Sequence, residues 1–88
     1  MSRYRVVSTL KTVNYVQYSW NIYDDNWMAY MVDCIVYPDG PDVSRLAYFY
    51  YDYKVSKYVR LPDRTVHGDI SESDVLAFIL GKLGIEAE

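Results

Sequence analysis

The chain has 88 residues, a hydrophobic fraction of 51% and a net charge of −3. That length supports one core and no second one, so residues 1–88 are read as a single domain, and the apolar content excludes disorder. The charge is too small to assign a partner by electrostatics alone.

Tyr4-Arg5-Val6-Val7-Ser8-Thr9-Leu10 is β-branched and aromatic, which predicts a first strand. Val13 to Tyr23 alternates: Val16, Tyr18, Trp20 and Ile22 fall on one face, Tyr15, Gln17, Ser19 and Asn21 on the other. This is the pattern of a half-buried antiparallel strand. Asp24-Asp25-Asn26 supplies residues that tolerate left-handed backbone, hence a hairpin turn. Trp27 to Tyr37 offers an unbroken apolar strand face in Met28, Tyr30, Val32, Cys34 and Val36, and also a helical stripe in Trp27, Met28, Met31, Val32 and Ile35. The strand is the better reading, because Val-Asp-Cys-Ile-Val-Tyr is poor helix material.

Pro38-Asp39-Gly40-Pro41-Asp42 reads as a loop, and its two aspartates lack the alternating ligands of a calcium loop. Leu46 to Tyr53 follows as an aromatic strand, with Tyr48 and Tyr50 on one face and Phe49, Tyr51 and Tyr53 on the other. Lys54-Val55-Ser56 is a turn or bulge, Lys57–Leu61 a fifth short strand ended by Pro62, and residues 62–70 a surface connection. Ser71 and Asp74 then form a capping box, Ile70 and Val75 stand at the staple positions, and Gly84 closes a helix over 72–83 with Ile85 folding back. The expected fold class is α+β, a four- or five-stranded antiparallel sheet with a C-terminal helix packed on one face. Val75, Phe78, Ile79 and Leu83 are expected to dock on Val16, Tyr18, Trp20 and Ile22, leaving Ala77 and Gly81 toward water.

Charge runs in blocks. Arg3, Arg5 and Lys11 stand without an acid in residues 1–20, and five aspartates stand without a base in 21–44. Lys and Arg outnumber acids in 45–64, and acids outnumber Lys82 in 65–88. Nine of the twelve acids are Asp, mostly beside turn residues, which argues for caps and turns rather than an acidic nucleic-acid mimic. Cys34 is the lone cysteine and reads as a buried free thiol, so no internal disulfide is expected. Met1-Ser2-Arg3-Tyr4-Arg5 leads into no long apolar run, so neither a signal peptide nor a membrane span is expected, and the location expected is cytoplasmic.

The chemical inventory is thin. One His and one Cys cannot build the usual four-ligand zinc site, and His67 in Val66-His67-Gly68-Asp69 reads as a solvated loop residue. With no assembled nucleophile or base, neither an enzyme nor a cofactor is expected. Tyrosine stands out at 11 residues, an amphipathic ring that orders at low entropic cost and suits interfaces.

The expectation is therefore a small non-enzymatic protein-binding module acting through an aromatic sheet face with a charged rim. Short chains of this kind are often phage or mobile-element inhibitors, here of a host defence complex. The binding residues expected are Tyr48, Tyr50, Tyr51, Tyr53, Lys54, Lys57, Tyr58 and Arg60. Tyr48 and Tyr50 are expected to be the outward rings, because Phe49 has no hydroxyl to satisfy and favours burial of its own face. The helix arc and two-faced aromatic strand exceed what one sandwich can hide, so a homodimer or an obligate partner is expected. The alternative is single-stranded nucleic acid bound by the 48–64 region, where rings interleave with cations.

Overall fold

The computed structural model describes residues 4–12 and 16–86; Val13 to Tyr15, counted above with the second strand, lie outside the described residues. Its elements are β1 (Tyr4–Thr12), β2 (Val16–Asp24), β3 (Trp27–Gly40), β4 (Val43–Asp52), β5 (Lys57–Arg60), β6 (Arg64–His67) and α1 (Glu72–Leu83). Neighbouring strands are antiparallel from β1 through β4, and β5 and β6 share the far edge of β4. The sheet thus has six strands rather than four or five. The α+β class and the single C-terminal helix agree with the expectation, and residues 27–37 are strand.

The sixth strand lies where a surface connection was expected. Pro62 lacks an N–H and interrupts the outer strand. The chain nevertheless stays on β4: the Leu61 amide donates to the Tyr48 carbonyl at 3.1 Å before the break. Beyond it, β-branched Thr65 and Val66 resume pairing opposite Arg45 and Ser44. The Gly68 amide then donates to the Asp42 carbonyl at 2.7 Å.

Two one-residue bulges set which side chains share a face. Ile22 pairs with Tyr30 but Tyr23 with Met28, so Ala29 is extra. Gly40 pairs with Val43 but Pro38 with Ser44, so Asp39 is extra. The loop expected over 38–42 is consequently only the turn at Pro41 and Asp42, with Gly40 at φ +139° and Asp42 at φ +56°. The second bulge aligns Cys34 with Tyr48 and Val32 with Tyr50. Without it, β4 would slip by one residue and present its opposite face, because side chains alternate with period two.

The helix is delimited by its caps. The Asp74 amide donates to the Ser71 hydroxyl at 3.2 Å, and the Ser71 amide donates back to the Asp74 carboxylate at 3.4 Å. At the other end Gly84 adopts left-handed backbone at φ +70°, and the amides of Gly84 and Ile85 donate to the carbonyls of Gly81 (3.2 Å) and Leu80 (3.0 Å). That pair of bonds is the Schellman motif expected from Gly84. Val75, Ile79 and Leu80 are buried against Trp20, Ile22, Val32, Cys34, Leu46 and Tyr48, while Ala77 and Gly81 face water.

Three details of the expected core change. Val16 is 38% exposed at the sheet's end and is not part of it. Phe78 is half-buried, tilted against the Tyr48 ring at 5.0 Å, with the Arg64 guanidinium 4.3 Å above it. Tyr48 replaces Val16 as the helix's partner. Cys34 is buried and free as expected, and burial pushes its thiol up to about 12.

Ile79→Ala should cost about 2–5 kcal/mol of unfolding free energy in urea melts, and Phe78→Ala about 3 kcal/mol. A loss below about 1 kcal/mol for either would place the helix elsewhere. Cys34 should resist iodoacetamide in the native protein and react once urea unfolds it; fast native alkylation would contradict its burial. Because its folded pKa is raised, the Cys34 contribution to stability is complete below the thiol's ordinary range and is lost as pH rises toward about 12.

Candidate binding surface

The helix covers only the face carrying the even-numbered residues of β2, β3 and β4. Among the described residues no element lies on the opposite face. Its outer corner is built by cross-strand pairing: Tyr51 lies opposite Met31 on one side and Tyr58 on the other, and Phe49 lies between Asp33 and Arg60. Tyr51 meets Tyr58 at 4.8 Å and 67°, and Tyr53 at 4.8 Å and 73°. Edge-to-face contacts of this kind hold the three rings in fixed mutual positions.

Arginines cover the remaining open-face rings. Arg5 lies 4.7 Å above Tyr23, Arg45 4.5 Å above Tyr37, and Arg60 5.4 Å above Phe49. Asp63, in the Leu61–Asp63 break, ties two of them together by accepting from Arg45 at 2.9 Å and Arg60 at 3.1 Å. Those hydrogen bonds, Arg60 first and Arg45 second, hold its carboxyl below the usual carboxylate range. Towards the centre, Ser19 donates to Asp33 across the β2–β3 pair.

The residues expected at the site divide between the two faces. Tyr51, Tyr53 and Tyr58 come together with Arg60 beside them on Phe49, whereas exposed Lys57 lies opposite Asp52 on the other alternation of β5 and does not join them. Tyr48 and Tyr50 do not join them. Tyr48 is wholly buried under the helix, and Tyr50 lies half-buried on the same side, meeting the edge of Tyr30 at 5.8 Å. The assignment of those two as outward rings is therefore corrected, and with it the burial expected for Phe49, Tyr51 and Tyr53. Phe49 needs no hydroxyl partner outside because Arg60 covers it. Tyr48 is buried with its hydroxyl beside Arg64 and Cys34, and burial raises its pKa.

Tyr53 and Lys54 belong to the β4–β5 turn and also line a cleft of about 590 Å³ at the end of the sheet, beside Asp24, Trp27, Tyr30 and Asp52. Trp27 was expected at the start of a strand, or in the alternative helical stripe, and not at a site. Its adjacency to the Asp24-Asp25-Asn26 turn was the available signal, because a turn projects its neighbours beyond the sheet. His67 is exposed at the end of β6.

No protein-family model, curated protein or solved structure matches this chain. Among the described residues no helix is long and apolar enough to cross a membrane.

Asp63→Asn should remove part of the acid sensitivity of folding. A carboxyl with a lowered folded pKa stabilises above its unfolded pKa, and that contribution is lost as pH falls through the folded value. Thermal melts from neutral to strongly acid pH should show a shallower decline for the variant; parallel curves would mean the Asp63 bridges carry nothing.

Proposed function

We propose that this is a non-enzymatic protein-binding module whose open sheet face, centred on Tyr51 and Tyr58 with Tyr53 beside them, docks against a protein that presents carboxylates around an apolar patch. The observation carrying this reading is the covering of Tyr23, Tyr37 and Phe49 by Arg5, Arg45 and Arg60. A base-stacking platform needs free ring faces. Here one face of each of those rings holds a guanidinium, while the guanidiniums' remaining donors suit carboxylates. Tyr58 is 69% exposed, offering a large ring as an anchor, and Arg60 stands on the same face as its charged rim.

The chain's net charge of −3 also speaks against a phosphate-driven footprint. An acidic partner surface and the arginine-bearing face attract each other locally despite that total, which raises the association rate and orients the encounter.

The test is a double substitution, Tyr51→Ala with Tyr58→Ala. It should cost about 1–2 kcal/mol of stability, since only edge contacts and partial burial are lost. Partner binding should fall roughly thirtyfold or more. Partners are captured from nuclease-treated lysate on the wild-type protein, and their affinities for both forms are then measured in purified components. A partner retained equally by both forms contradicts the site. Single-stranded oligonucleotide binding that drops steeply with salt would contradict the partner class. Light scattering that shows a dimer dissolved by the same substitutions would make a second copy of the chain the occupant.

A further inference from the structure

The geometry points to a recognition site for an organic cation, an alkylated ammonium or a guanidinium, in the cleft at the end of the sheet. It shares Tyr53 with the docking surface, but its carboxylates and Trp27 lie outside that surface, so variants at Asp24 test it separately from the protein-docking reading.

The helix is seated on Trp20, Ile22, Val32, Cys34, Leu46 and Tyr48, and none of its residues lines the space beside the β2–β3 turn. There the first strand begins at Tyr4 opposite Asp24, and the bulge at Ala29 interrupts the alternation just past the turn. Asp25 turns the chain in left-handed backbone at φ +55° and leaves Trp27 80% exposed. From the other side, the Tyr53 amide donates to the Ala29 carbonyl at 3.1 Å, which fastens the β4–β5 turn against the bulge. The resulting space of about 590 Å³ has the rings of Tyr4, Trp27, Tyr30 and Tyr53 along its walls.

The polar groups in that space are mostly carboxylates. Asp24, Asp25 and Asp52 line it, against Lys54 as the one cation among the described lining residues. Asp52 already accepts the Lys54 amide at 2.9 Å. Asp24 differs: its Oδ1 atom is shut off from solvent and has no hydrogen-bond partner. A carboxylate oxygen in that state is costly and calls for a donor or a positive charge. Burial raises the Tyr30 hydroxyl pKa, and the charges of Asp52 and Asp24 add to that shift. Among the described residues no three His, Cys, Asp or Glu side chains converge closely enough to hold a metal ion. Rings plus scattered carboxylates suit a diffuse organic cation, which binds over ring faces and needs no tight oxygen cage.

The probes are choline, N-acetylarginine methylamide and 3,3-dimethylbutanol, the neutral analogue of choline. Each is titrated against the full chain while the Trp27 indole and Tyr30 ring resonances are followed by NMR, with buried Trp20 as the folding control. Both cations should move Trp27 and Tyr30 in saturable fashion, and the neutral alcohol should bind roughly tenfold more weakly. The tighter of the two cations distinguishes an alkylated ammonium from an arginine side chain of a partner. Asp24→Asn should weaken the cations roughly tenfold while leaving the alcohol unchanged, and Lys54→Met should tighten the cations by removing the competing charge. A merely structural role for either residue would not produce those opposite signs. The proposal is overturned if neither cation moves Trp27 and Tyr30, or if the neutral alcohol binds as well as choline.

Discussion

The structure depends on one constraint: a single helix can cover only one face of a sheet. Seating α1 through Val75 and Ile79 on Trp20, Ile22, Val32, Cys34 and Tyr48 commits those side chains to the interior. Each of them then determines the direction of its neighbours in the strand, so the odd-numbered rings of β4 emerge on the opposite side. Candidate function follows from this division. The outer face is aromatic because β4 carries rings in both alternations, and one alternation had to be left uncovered.

The covered side accepts a defect to gain that packing. The Trp20 indole nitrogen is buried without a hydrogen-bond partner, a cost that the surrounding apolar contact must offset. The open side manages its exposed rings differently. Arginine side chains lie over three of them, and Asp63 joins two of those arginines at the interrupted edge strand. Aliphatic arginine stems cover apolar surface while their charged heads remain wet. This explains how a sheet face rich in Tyr and Phe can coexist with water in the unbound protein.

Much of the architecture was legible in local sequence. The alternation of Val16 to Ile22, the turn residues Asp24 to Asn26 and the capping residues Ser71, Asp74 and Gly84 each act over a few residues, so each could be read without the fold. The face of β4 could not be read that way. Judged alone, Phe49 looked the more buried ring because it lacks a hydroxyl, yet its direction is decided by the extra residue Asp39 in the β3–β4 connection. A bulge is a one-residue event with a sheet-wide consequence, and Pro38-Asp39-Gly40-Pro41-Asp42 shows only that a turn is present. β6 was missed because Pro62 correctly signals an interruption but does not say that pairing with β4 resumes. The cleft was out of reach because it joins Tyr4, the Asp24–Trp27 turn and the Tyr53–Lys54 turn, which only the sheet brings together.

The most direct test of the division between faces is the solvent exposure of individual aromatic rings in the purified protein. NMR relaxation of assigned Tyr and Phe ring protons by a soluble gadolinium chelate measures this, with nuclear Overhauser contacts to the helix recorded alongside. The Tyr48 ring should be protected and in contact with Phe78, whereas Tyr58 should relax strongly and Tyr51 clearly more than Tyr48. Protection of Tyr51 and Tyr58 together with strong relaxation of Tyr48 would mean that β4 presents its other face, and the account would be wrong at its base.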